Sequence, residues 1–430
     1  MSIQAIGILV VFLVSVILMM TRKLPTILVL PLMAVIFALI AGIPIMSSDP
    51  KEFTITANVL EAGSMRMSSA IAGLIFGAWF GQILNKVGIT KTIIRKAAEL
   101  AGDKPVIIAL TFLIAASIIF SAASGLGMVI LVGTIIIPIM LTAGLSPLVS
   151  ALVLLFANAI GVTFYVGGWA IYKDVLKLTT EQIANYSLIP AVPLIIVAVV
   201  TILYYNSKGA KLKKAWSMPL NNEGQLGNNM NVRSIALISP IIPVIFAFTL
   251  KLSIVPSVVL GIVITLILAT PKRPVHVLSS ALIEGIQDTA GALALLIGIG
   301  MVLNAVMAEP VAAILKPMIE TIIPHSPLTY ILVFTLLSPL AIYRGPFNIY
   351  GLGSGIAALL VAAGMNPVAA MVALRVNSNL QAVCDPTNSH NVWVSDYTKT
   401  DVNEILKKTI IWLVIAVGVS MVVASFVVTL

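Results

Sequence analysis

Apolar runs recur from one end of the chain to the other, beginning with IQAIGILVVFLVSVILMM. At about 18 to 20 residues, each is long enough to cross a hydrocarbon core of about 30 Å as a helix. No stretch is left over that could build a soluble domain. Only 10% of the 430 residues are charged and 60% are hydrophobic, against roughly 25% charged in ordinary globular chains. The chain reads as an all-α polytopic membrane protein. Its first run has no basic residue before it and no small-residue cleavage pattern after it, so it is expected to remain as a span. The single cysteine, Cys384, excludes an intrachain disulfide.

The net charge of +9 does not mark a nucleic-acid partner, because the basic residues cluster at span ends. TRK follows the first span, NKVGITKTIIRKAAELAGDK the third, NSKGAKLKKAW lies mid-chain, TPKRP follows a later span and TKTDVNEILKKT precedes the last. The positive-inside rule places these loops in the cytoplasm, facing lipid headgroups. A multi-pass protein of the cell's inner membrane is expected.

The chain also repeats. Gly125, Gly133, Gly144 and Pro147 recur as Gly345, Gly353, Gly364 and Pro367, each pair 220 residues apart. Weaker matches at nearly that offset join Gly63 to Gly285, Asn85 to Asn304, Pro105 to Pro327 and Glu181 to Glu404. The expected division is a first repeat over 1–205, a polar cytoplasmic linker over 206–233 and a second repeat over 234–430. Spans in the first half are expected near 4–21, 25–43, 68–86, 147–178 and 187–205, with a pair at 105–122 and 125–143 joined by SAASGLG. Charge alone does not separate two full spans from a re-entrant hairpin there. The crossing number is odd either way, so the halves enter from opposite faces. This gives two inverted repeats, about ten transmembrane helices, two re-entrant hairpins, two broken helices and both termini outside.

Non-helical backbone at membrane depth survives only where it is buried in protein or lines an aqueous cavity. Two such places occur in each half. The first is the hairpin tip, SAASGLG against AIYRGPF; the second is FANAIGVTFYVGGW against RVNSNLQAVCDPTNSHNVW, where Gly167-Gly168 and Asp385-Pro386 oppose helix continuation. Broken helices turn their half-helix ends toward a common centre, where secondary transporters hold anions and coupling cations.

Arg344 is the strongest base in an apolar stretch, and at a helix-centre position it would cost about 2.5 to 3.5 kcal/mol on insertion scales unless paired or wetted. Its planar fork suits a substrate carboxylate, and the alternative is a permanent ion pair with Asp385. Arg375 either pairs within the protein or lines the pathway. Asp385, the one carboxylate placed in the broken segments, is the leading proton or Na+ site, against a helix-capping or arginine-pairing role. Asn377, Ser378, Asn379, Thr387 and Asn388 are neutral oxygen donors of the kind Na+ accepts, and the same residue types also satisfy broken backbone. His390 reads as a hydrogen-bonded interfacial histidine and Cys384 as a small buried hydrophobe. Glu284 and Asp288, in LIEGIQDTAG, are expected at an interfacial helix start and are not assigned to the site.

MMTRKLPTILVLPLMAVIFALIAG, ELAGDKPVIIALTFLIAAS and the hairpin followed by IIIPIMLTAGLSP together resemble the citrate-metal symporter and gluconate permease-like branch of the ion transporter superfamily. The resemblance implies a scaffold domain and a transport domain, paired re-entrant hairpins, a homodimer, and elevator-type movement of organic acids coupled to H+, Na+ or a metal. By position it implies a site at Ser121, Ser124, Gly125, Asn158 and Thr163 in the first half. In the second half the implied site is Arg344, Gly345, Asn348, Asn377, Ser378, Asn379, Asp385, Thr387 and Asn388. Of these, Thr163, Asp385, Thr387 and Asn388 are the coupling-ion candidates and the others the substrate candidates. Citrate-metal members carry acidic residues in the first hairpin, where this chain has SAASGLG, so a metal-citrate substrate is not expected.

No HExxH, Walker A or GxSxG pattern occurs, and the three histidines are far apart. The expected function is therefore an ion-coupled symporter of a small organic anion, such as a carboxylate or sugar acid. It would have no cofactor or structural metal and would couple to H+ or Na+. The alternative is a cation/proton antiporter in which the arginines only neutralise Asp385; a channel is a third reading.

Overall fold

The computed structural model describes residues 2–21, 23–209, 232–320, 323, 324 and 326–428. Every element within them is helical. Among the described residues, six helices are long and apolar enough to cross a membrane: Ile55–Lys86, Pro105–Ala122, Pro147–Phe164, Thr180–Ser207, Pro274–Met307 and Val402–Val427. Shorter apolar helices accompany them, among them Thr26–Ile40, Leu126–Thr142 and Ile254–Ala269. The linker expected over 206–233 lies, apart from its ends, outside the described residues.

Proline and glycine set most boundaries. Pro105, Pro147, Pro327 and Pro367 each open a helix at its first turn, where a missing N–H costs nothing and φ is already helical. The first hairpin pairs Pro105–Ala122 with Leu126–Thr142 through the turn at 123–125. The first broken helix runs Pro147–Phe164, breaks at Tyr165 and resumes as Val166–Leu176. The second half repeats this order. Pro327–Leu336 leads through a 3-10 turn, Ser338–Arg344, to Gly353–Ala362. The second broken helix then runs Pro367–Cys384 and resumes as Ser389–Thr398.

The basic segment after the third span was expected to be a loop, but it folds as the helix Ile89–Ala101. Ile89, Ile94, Ala97 and Ala101 are buried while Lys91, Arg95 and Glu99 are exposed, so one apolar face pays for no span but docks the helix along the protein. Glu284 and Asp288, expected near an interfacial helix start, stand 10 and 14 residues into the 34-residue helix Pro274–Met307, and Glu284 pairs with Lys86, the last residue of Ser68–Lys86.

That long helix packs along Ser68–Lys86, and the contact is reciprocal. A β-carbon on Gly63 would fall 2.8 Å from the Cα of Met301, and one on Gly285 would fall 2.9 Å from the backbone of Ala78 and Trp79. Gly63 and Gly285 are 222 residues apart, as are Trp79 and Met301. Only glycine allows the backbones this close, which is how helices associate in lipid.

Candidate functional site

At the first break, the helix Pro147–Phe164 ends in carbonyls that have no partner further along the helix. The Thr163 carbonyl accepts from the Trp169 indole N–H at 3.0 Å and from Nη2 of Arg375, which reaches it from the second broken helix. Arg375 is buried and lies over the rings of Trp169 and Tyr172, 5.6 and 5.3 Å from their centroids. Among the described residues no carboxylate comes within 4.0 Å of it, and its Nη1 is buried without a hydrogen-bond partner. A guanidinium thus sits on the negative end of a half-helix. Beside it, the Thr163 hydroxyl donates to the Ala159 carbonyl at 2.9 Å and lies 3.3 Å from Oδ1 of Asn379.

On the two broken helices and at the first break, four polar atoms are buried without a partner among the described residues: Asn158 Oδ1, Tyr165 Oη, Asn377 Oδ1 and Asn379 Nδ2. Buried polar groups are almost always satisfied, so such atoms mark a place for water, ion or substrate. Ser378 is otherwise engaged, donating to the Leu374 carbonyl at 2.8 Å.

The second break is organised by Asp385. Its Oδ1 accepts from the N–H and hydroxyl of Thr387 at 2.8 and 2.7 Å. Its Oδ2 accepts from the Gln381 amide at 2.8 Å and from the Tyr343 N–H at 3.0 Å. Asn391 donates to its carbonyl at 2.9 Å. Asn388 caps the resumed helix through His390 N–H at 3.3 Å. Asp385, Thr387 and Asn388 therefore come together, but at a different place from Thr163 and Asn379. Tyr343 turns the second hairpin with φ +61°. Arg344 closes that turn, and only its backbone is described. Gly345 donates to the Ile342 carbonyl at 3.2 Å, and buried Asn348 accepts from Tyr350 N–H at 2.8 Å, so both shape the turn.

At the first hairpin tip, Ser121 donates back to the Ile118 carbonyl at 2.7 Å and lines an apolar cavity of about 450 Å3 with Ser117, Phe164 and Val199. Ser124 and Gly125 form the turn, with Gly125 at φ +125°. The residue that meets this tip was not expected from the sequence: Asp288, from the long helix. A β-carbon on Gly127 would fall 2.6 and 2.7 Å from its carboxylate oxygens, and Gln82 donates to its Oδ2 at 2.5 Å. The available signal was an acid deep in an apolar run, set 222 residues from Arg66.

Residues 1–164 match the model of a family described as the Na+/H+ antiporter family, rather than the citrate-metal and gluconate permease-like branch. No curated protein matches the chain in sequence. Two solved structures share its fold. The YdaH transporter of Alcanivorax borkumensis is 12% identical with a TM-score of 0.60, over 95% of this chain and 98% of its own. Neisseria gonorrhoeae MtrF, described within a class of antimetabolite efflux pumps, is 11% identical with a TM-score of 0.54, over 94% and 95%. The chain is an all-helical polytopic membrane protein with the fold of these transporters, and over its first 164 residues it is similar to the Na+/H+ antiporter family.

Proposed function

We propose that the protein is a secondary active antiporter that exchanges a monovalent cation, Na+ or K+, for protons across the membrane. The observation that carries this reading is the antiporter-family match, which spans the first hairpin and the first broken helix up to its break. The partnerless oxygens of Asn158 and Asn377 support it, since uncharged oxygens suit a dehydrated alkali cation. On this reading the halves are inverted repeats, and the hairpins and broken helices move as a unit past the remaining helices. The test is proton movement in proteoliposomes holding a pH-sensitive dye, with Na+ or K+ added outside and no organic solute present. Cation-dependent alkalinisation or acidification is expected; none in active, oriented vesicles overturns the antiporter.

A second reading, symport of an organic anion, is favoured by one feature: the partnerless Nη1 of Arg375, a buried cation facing no carboxylate. A substrate carboxylate would complete its fork. Ser121, Ser124, Arg344 and Asn379 belong to this reading as candidate contacts. Counterflow of labelled mono-, di- and tricarboxylates or sugar acids tests it, and Arg344→Lys and Arg375→Lys are each expected to weaken such transport.

A further inference from the structure

We propose that Asp288, together with Gln82 and the tip of the first hairpin, forms a binding site for the transported monovalent cation. The proposal rests on the antiporter reading for what the site does, and on local geometry for its existence.

Two rungs, one helical turn apart, join Ser68–Lys86 to Pro274–Met307. In the outer rung Lys86 pairs with Glu284 at 2.6 Å. In the inner rung the residue four before Lys86 is Gln82, and it meets the residue four after Glu284, Asp288, at 2.5 Å. The outer carboxylate is neutralised by a fixed ammonium, while the inner one faces a neutral amide. Among the described residues no basic side chain lies within 4.0 Å of Asp288. Asp288 lies one turn further along the helix pair than Lys86–Glu284 and is exposed, and a carboxylate set within an apolar helix faces water or takes a partner.

The repeat makes the imbalance sharper. At the 222-residue offset of Gly63 and Gly285, Asp288 and Gln82 correspond to Arg66 and Asn304, so Asn304 matches Gln82 and not Asn85, the match expected from the sequence. Arg66 donates to Asn304 Oδ1 at 2.6 Å. Each half thus presents an amide to the other half's charged residue, but one charge is a guanidinium and the other a carboxylate. At the first position the protein supplies its own cation; at the second it leaves the place open.

The hairpin supplies the rest of the site. The helix Leu126–Thr142 begins at the tip, and Gly127 brings its first turn against the Asp288 carboxylate. That helix end carries only about half a positive charge. The helix Pro105–Ala122 ends at the same turn, and the last carbonyls of a helix that lack a partner further along it are oxygens of the kind that suit an alkali cation. Gly291, one turn beyond Asp288, is exposed and has no atom within 4 Å of its β-carbon position, so this face of the helix is open to its surroundings beside Asp288.

The test uses purified full-length protein, melted in NaCl, KCl or LiCl against N-methylglucamine chloride. Binding to the folded state alone raises the melting temperature with cation concentration. Wild type is expected to show this rise with at least one of the three salts, and Asp288→Asn is expected to lose it. Gln82→Lys, which places a fixed ammonium as Lys86 does for Glu284, is expected to lose it without lowering the melting temperature in cation-free buffer. Glu284→Gln should keep it. A rise that persists in Asp288→Asn, or no rise in wild type, overturns the site. If the rise depends on Asp288 but wild-type vesicles move no protons on cation addition, the site stands and the antiporter reading falls.

Discussion

The carboxylate of Asp385 accepts the backbone N–H of Tyr343 at 3.0 Å, so an acid in the gap of the second broken helix pins the tip of the second hairpin. Tyr343 holds a left-handed backbone, φ +61°, which costs a non-glycine residue about 1 kcal/mol. A hydrogen bond to a charged group contributes roughly 1.5 to 3 kcal/mol and offsets that cost. Asparagine at 385 would keep one accepting oxygen and lose the other. Asp385→Asn is therefore expected to lower stability by about 1 to 3 kcal/mol, read as a lower melting temperature in detergent. An unchanged melting temperature would show that the pinning contributes nothing.

The reciprocal crossing at Gly63 and Gly285 makes a matched pair of predictions. A valine at either position must push apart backbones that approach within 3 Å of its β-carbon. Gly63→Val and Gly285→Val are each expected to destabilise by about 1 to 3 kcal/mol. Thermal unfolding of the two variants checks this, and a large loss in only one would show that the two contacts are not energetically equivalent.

Arg375 is buried with no carboxylate within 4.0 Å among the described residues and depends on its planar shape, stacked on Trp169 and Tyr172 while reaching the Thr163 carbonyl. Lysine would keep the desolvated charge and lose the stacking fork; methionine would remove both. Arg375→Lys is expected to be less stable than Arg375→Met, because an uncompensated buried charge is the larger penalty. The reverse order would mean that water or an ion already solvates this position.

Lys177 and Lys399 are matched residues, both exposed and both at φ +57° after the second arm of a broken helix. If the halves are inverted, they lie on opposite faces. With the native Cys384 buried, Lys399→Cys is expected to react with an impermeant maleimide only from the cytoplasm and Lys177→Cys only from outside. Labelling of both from one face would overturn the inversion.

The spans, the hairpin tips and the two breaks are legible in the sequence because local physics fixes them. An apolar run of sufficient length must cross the bilayer as a helix, and Pro147, Pro367 and Pro386 act on their own backbone wherever they sit. The capping role weighed for Asp385 is local in the same sense, since Gln381 and Thr387 lie within four residues of it. What the sequence left open are the meetings between distant segments. Arg375 reaches Thr163, and Asp288 reaches Gly127, only because packed helices cross at particular heights and rotations. Those crossings are set by the summed fit of many side chains, as the close approach at Gly63 and Gly285 is for its own pair of helices. A periodicity in one helix does not encode where another will lie against it. The chain thus determined that its charges inside the membrane would be few, and the tertiary structure decided which of them would be left without a partner.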